Sequence, residues 1–339
     1  MRILIATTPT ATVPAHAFAE TVRSAWSDWN PSDQLTFLTF PHEGRGVLES
    51  LVDLGFTPRS AGVGVRGGHH VLDAGTLLGD ELLTGTTAPL AEAIGSALDA
   101  GAARISVAVR PLAVHDGGRG LLESLSSRHG SVRGARAALG AVRLELVASS
   151  SLALLGLNGA GASLATVVGP EEAQRIDRGI GEWAAGIERD HLATDLAAGR
   201  PLRLSAAPGS GLAGGAGFAL QVLGAETTPE AEWLGGFLDV PATLAAHDLA
   251  MVVLPAMDGD AMDSSALTVV CEAALENAVP VVVLTREDQS SRRSRAGLGI
   301  AASYVVGGNN FEPASVGPHA RRVAQTWSRP DSPEGPHAT

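Results

Sequence analysis

Two stretches place carboxylates where acids do chemistry. Asp116-Gly117-Gly118-Arg119-Gly120 follows an apolar run, which puts Asp116 at the carboxyl end of a strand, the edge where open α/β sheets hold ligands. There it either binds a metal or hydroxyl or forms a plain Asp-Gly turn. Asp258-Gly259-Asp260-Ala-Met-Asp263-Ser264-Ser265 gathers three acids and two hydroxyls after another apolar run. Such hard oxygen ligands suit Mg²⁺. The closing glutamate of an EF-hand is missing, and the alternative is a helix cap at Asp263 or Ser264. A third stretch, Gly209-Ser-Gly211-Leu-Ala-Gly214-Gly215-Ala-Gly217, matches the lettering of a dinucleotide loop. Residues 226–232 read as a loop, however, not as the second strand such a unit needs. Two readings stand for the glycines: amides approaching an anion, or close packing of a helix on a sheet. Gly62-Val-Gly64-Val-Arg-Gly67 has the same letters and no helix after it.

The remaining reactive side chains are few. His69 and His70 are adjacent and read as a surface loop, since neighbours on a strand face opposite ways. His42 and His115 sit near strand ends and titrate near neutrality. Cys271, flanked by Val269, Val270, Ala273 and Ala274, reads as a packed helix face. Neither a Gly-x-Ser-x-Gly elbow nor a His-Glu-x-x-His pair occurs, so nothing supports a serine hydrolase or a zincin. The chain has no lysine, and all 24 basic residues are arginine. Any phosphate must then be met by Arg45, Arg110 or Arg119, whose forks bind it in a bidentate way. A net charge of -12 argues against nucleic acid and anionic membranes as partners. The apolar run at the N-terminus is too short for a leader or a membrane span, so a cytoplasmic location is expected.

These residues need elements to position them. Short apolar runs at 3–6, 35–40, 249–254, 279–284 and 303–306 alternate with helical patterns at 15–26, 44–54, 267–276 and 316–327. Strands each followed by a helix predict an α/β fold with a parallel, doubly wound sheet. Two units precede residue 56 and three follow 248. The expectation is a flavodoxin-like five-strand domain, 1–56 with 248–328, in strand order 2-1-3-4-5. It is interrupted by an inserted α/β domain, 57–247, with strands at 104–109, 143–148 and 202–205. Residues 329–339 read as a flexible tail.

Over residues 1–327 the chain resembles bacterial glycerate kinases of the first type. The resemblance is carried by Pro208-Gly-Ser-Gly-Leu-Ala-Gly-Gly-Ala-Gly-Phe-Ala-Leu with Leu223-Gly-Ala-Glu226, similar to the family's P-G-A-G-A-A-G-G-M-G and L-G-A. Asn158-Gly-Ala-Gly, Gly169-Pro170-Glu171, Ala97-Leu-Asp-Ala-Gly-Ala102 and the Asp116 turn support it. It implies phosphorylation of glycerate with ATP and Mg²⁺. Asp116 and Asp263 would then be the catalytic acids, Asp263 also a metal ligand. Arg45, Arg119, Gly209, Gly211, Gly214 and Gly215 would meet the nucleotide phosphates, and Arg110, His115 and Ser264 the organic acid.

The sequence departs from the family pattern at its polar motifs. The family's D-S-F-K is Thr8-Pro9-Thr10-Ala11, and D-G-G-E-G-T is His42-Glu43-Gly44-Arg45-Gly46-Val47. G-G-S-A-T-N-D-G-G keeps only Asp116-Gly117-Gly118, and G-E-G-R-x-D-x-Q-S keeps Asp263 and loses the glutamine. Two functions follow: an ATP-dependent glycerate kinase, or a non-catalytic relative that binds a small anion, nucleotide or partner protein between its domains. In either, Thr8, Thr10, His42, Arg45, Arg110, His115, Asp116 and Asp263 are expected to share a cleft. A homodimer is among the assemblies open to it.

Overall fold

A computed structural model describes residues 1–330, apart from 80, 112, 113, 193, 196–199, 264 and 309. The chain divides into two compact units, Met1–Gly46 with Ala231–Thr339, and Val47–Glu230.

In the first unit, strands Gln34–Thr39, Arg2–Thr7, Leu249–Met257, Val281–Asp288 and Ile300–Val305 lie side by side in that order, all parallel. This is the 2-1-3-4-5 order read from the sequence. Ile3, Leu4, Ile5 and Ala6, like Leu249 to Val253, are fully buried. Unbroken apolar runs of this kind belong to strands covered on both faces. Ile3, Ile5, Met251 and Val253 pack with Phe18, Val22 and Trp26 of helix Ala15–Ser27 and with Val316 and Val323 of helix Pro313–Trp327. Cys271 is buried in helix Ala266–Glu276, where burial pushes its thiol up to about 12 and keeps it protonated.

The second unit holds a six-strand sheet in the order Glu226–Pro229, Arg143–Ala148, Arg104–Val109, His69–Asp73, Val63–Arg66 and Thr57–Ser60. The first four strands run parallel, and the last two form antiparallel hairpin edges. The two inner strands at 104–109 and 143–148 stand where the sequence placed them. Three expectations are corrected. Residues 202–205 form no strand; a 3₁₀ turn, Leu204–Ala206, lies there, and the Ser205 N–H is tied to the buried Glu188 carboxylate at 2.7 Å. Residues 226–229, read as loop, pair in parallel with Arg143–Ala148, the β-branched Thr227 and Thr228 suiting an edge strand. His69 and His70 lie on a strand, with His69 buried. Helix Val47–Val52 falls in this unit, Leu48 lying beneath Gly64 of the hairpin, whereas residues up to 56 were expected in the first.

Candidate functional site at the carboxyl end of the second sheet

Beyond strand Arg104–Val109 the chain turns through Arg110 to Gly118 and enters helix Arg119–Arg128. Asp116 fastens this turn. Its Oδ1 accepts from the Gly118 N–H at 2.9 Å; its Oδ2 accepts from the Thr87 N–H at 2.8 Å, the Thr86 hydroxyl at 3.0 Å and the Gly120 N–H at 3.1 Å. The Thr87 hydroxyl bonds the same carboxylate at 3.0 Å and accepts from the Leu121 N–H at 2.9 Å. An acid at a helix start with amide donors is favourable by charge and by hydrogen bonding. The result joins the starts of helices Arg119–Arg128 and Ala88–Asp99. Thr86 and Thr87 carry no motif in the sequence, and only the fold brings them to Asp116.

The glycine-rich run lies against this turn. Residues 209–220 are all buried. The Gly117 N–H donates to the Gly214 carbonyl and the Ala213 N–H to the Arg110 carbonyl, both at 2.8 Å; the Gly211 N–H donates to the Leu152 carbonyl at 2.9 Å. A side chain at Gly214 would collide with the Val114 carbonyl, and one at Gly215 with the backbone of Gly117. Gly209 turns at φ 78° with Ala148 and Thr227 close by. Backbone packed on backbone therefore accounts for these glycines. Arg110 reaches back over Gly75, its Nη2 donating to the Gly75 carbonyl at 3.1 Å. Arg119 is exposed, 5.4 Å from the Trp183 ring and 4.0 Å from Glu123.

His115 differs from its neighbours. It is 7% exposed, and both ring nitrogens are buried without a hydrogen-bond partner. Burial holds its pKa below the usual value, opposed by the charges of Asp177 and Asp116. Asp177 lies on helix Pro170–His191, and its carboxyl is pushed up by burial, opposed by His115. No spacing in the sequence pointed to Asp177, which sits in an ordinary amphipathic helix. Val114 is fully buried core, and Leu112 lies outside the described residues.

The other residues singled out fall in the first unit. His42 and Arg45 close a tight turn through mutual backbone bonds of 3.0 and 3.1 Å, with Glu43 and Gly44 at φ 51° and 72°. Burial lowers the His42 pKa, opposed by Glu43 and Asp258 and reinforced by Arg45. Thr8 is buried with its hydroxyl on the Val253 carbonyl, and the Thr10 hydroxyl accepts from the Val13 N–H at 3.0 Å. Asp258 accepts from the Ala261 N–H at 3.0 Å. The backbone of Asp263 ends the short helix Gly259–Asp263; Ser264 lies outside the described residues. Helix Ala266–Glu276 is capped by Ser265, whose Oγ accepts from the Leu267 N–H at 3.0 Å, not by Asp263 or Ser264.

Two further features belong to the second unit. A pocket of 430 Å³ opens between the hairpin and helix Ala88–Asp99, where Arg59, His70 and Glu92 border apolar Val63, Val65 and Leu77. It contains none of the expected site residues. At the amino end of the same sheet, buried Glu145 accepts from Ser106 at 2.5 Å and Arg104 at 2.8 Å and pairs with Arg143 at 2.9 Å. His69 Nε2 meets the Ser106 hydroxyl at 2.8 Å, and its ring stands edge-on to Phe56. Burial, with Arg104 nearby, lowers the His69 pKa to about 4. Among the described residues no helix is long and apolar enough to cross a membrane.

The comparisons with known proteins agree with this architecture. A crystal structure of a candidate glycerate kinase 2 from Salmonella typhimurium LT2 superposes with a TM-score of 0.72 over 96% of this chain and 98% of that one, at 21% identity. Uncharacterized proteins of Mycobacterium bovis and Mycobacterium tuberculosis are each 28% identical over 215 residues, 63% of this chain and 53% of theirs. The chain thus spans about half the length of the curated relatives it matches. The sequence profile of the Glycerate kinase family matches residues 127–324, and the chain belongs to that family.

Proposed function

We propose that this chain binds a small hydroxy acid of the glycerate type and does not transfer phosphate to it. The observation that carries this reading is the state of Asp116, the one acid kept from its motif. Both of its oxygens are engaged by backbone amides and threonine hydroxyls that build two helix starts. Its retention is therefore explained by folding, without catalysis. Phosphoryl transfer depends on cations gathered around the phosphates. No lysine exists to supply one, Arg119 lies exposed near Trp183 and Glu123, and the glycine run is buried under the turn. On this reading the described residues offer ATP and Mg²⁺ no gathered set of cations and carboxylates, and no step is routed through them. Membership of a kinase family with small-molecule substrates supports the binding half of the proposal.

The test is ADP release in the presence of ATP and D-glycerate, with calorimetry of each ligand. The expected result is a binding heat with D-glycerate and no ADP above the protein-free background. Asp116→Ala should lower stability by about 2 kcal/mol, the scale of lost hydrogen bonds to a charged group. ADP release that needs both protein and D-glycerate would refute loss of transfer; absence of heat with D-glycerate would refute binding.

A further inference from the structure

The 430 Å³ pocket lies wholly within the second unit, and two elements supply its walls. One wall is the hairpin. Val63 and Val65, two residues apart, share a face of their strand, and His70 stands directly opposite Val65 on the neighbouring strand. The edge strand Thr57–Ser60 carries a bulge: Pro58 pairs with Gly64 and Ser60 with Val63, which leaves Arg59 as the extra residue. A bulge at a sheet edge re-aims a side chain, and Arg59 borders the pocket. The other wall is helix Ala88–Asp99, where Glu92, Ala93, Ser96 and Ala97 follow the three- and four-residue spacing of one helix face. Leu77, at the end of helix Ala74–Leu77, adds apolar surface and lies against Gly62 of the hairpin turn, where an added Cβ would come within 2.9 Å of its Cγ. That turn is tied down by the Asp73 N–H, which donates to the Gly62 carbonyl at 2.8 Å.

Arg59 and Glu92 are exposed, and among the described residues neither makes a side-chain hydrogen bond or an ion pair, with the other or with a third group. Two opposite charges that border one pocket without meeting leave a cation and an anion for a ligand. Burial, with the Arg59 charge, lowers the His70 pKa, so near pH 7 its ring is neutral and offers one donor and one acceptor. A concave, largely apolar site with a few convergent polar groups is the usual form of a small-molecule site, and the volume is of that class. We infer that this pocket binds a free α-amino acid with an aliphatic side chain, its carboxylate at Arg59, its ammonium at Glu92 and its side chain among Val63, Val65 and Leu77. The charges decide the class. A plain carboxylic acid leaves Glu92 unmatched, an amine leaves Arg59 unmatched, and a zwitterion with a short side chain forfeits the apolar burial. Neither Asp116 nor any of its partners borders the pocket, so the inference is independent of the function proposed above.

Calorimetry of the whole chain with L-leucine, leucinamide, 4-methylpentanoate and glycine reads each part of the proposal, because the last three lack the carboxylate, the ammonium and the apolar side chain in turn. L-Leucine should bind about fivefold more tightly than leucinamide and 4-methylpentanoate, the upper scale for an exposed ion pair, and about tenfold more tightly than glycine, the scale of burying an aliphatic side chain. Arg59→Gln should bring L-leucine and leucinamide to the same affinity and keep the preference over 4-methylpentanoate; Glu92→Gln should do the reverse. Both positions are exposed, so unfolding midpoints should match wild type and lost binding is not lost folding. Absence of heat with L-leucine, or discrimination that neither variant changes, would overturn the proposal. Equal binding of 4-methylpentanoate and L-leucine by wild type would make this a plain carboxylate site and overturn the amino-acid assignment.

Discussion

The two ends of the second sheet treat buried polar groups in opposite ways. At the amino end, Glu145, Ser106, Arg104, Arg143 and His69 form a connected network in which the buried carboxylate has a partner on each oxygen. At the carboxyl end, next to the equally saturated Asp116, His115 makes no hydrogen bond through either nitrogen. Folding stability explains the first arrangement, since a fully satisfied network fixes strand register. It does not explain the second, since native structures keep few buried polar groups without a partner. Under the function proposed above, the contrast separates a structural polar cluster from one that a ligand would complete.

The comparison can be broken first at its saturated end. Glu145→Ala leaves Arg104 and Ser106 without their shared acceptor, and the expected loss is about 3 kcal/mol, the lower range for breaking a buried pair because Arg143 is largely exposed. Urea unfolding measures it; a loss under about 1 kcal/mol would show that the network contributes little. A smaller effect comes from acid. His69 in the folded protein titrates near 4, below its ordinary 6.5, so the unfolded chain takes up the proton first as pH falls. The stability held by the neutral ring is therefore complete above about pH 6.5 and declines between that value and pH 4. His69→Gln should flatten this slope, and an unchanged slope would mean that other groups produce it.

Much of the architecture was legible because parallel strands covered on both faces are written as continuous apolar runs. Residues 3–6 and 249–254 could be read as strands from composition alone, and the alternation of strands with helices fixed the parallel order of the first sheet. The hairpin Thr57–Ser60 with Val63–Arg66 was not legible, since four-residue strands containing Pro58 and Gly64 carry no strong period. Glu226–Pro229 escaped for the same reason: its strand character comes from a neighbour, Arg143–Ala148, some eighty residues earlier. At the candidate site, Asp116 and His115 were visible through their place after an apolar run. Their surroundings were not, because Thr86 and Thr87 reach Asp116, and the charge of Asp177 acts on His115, from segments that nothing in the spacing connects.

The smallest effect on stability carries the most information. His115→Leu removes two unsatisfied nitrogens and fills nearly the same volume, so the account predicts a protein as stable as wild type or more stable by up to about 1 kcal/mol. The decisive measurement is unfolding of wild type and His115→Leu with and without D-glycerate. A ligand at a hundred times its Kd stabilises by about 2.7 kcal/mol; wild type should gain this, and the stable variant should lose most of it. A variant destabilised on the scale expected for Glu145→Ala, or one that gains as much from D-glycerate as wild type, would contradict the claim that this end of the sheet is a binding site.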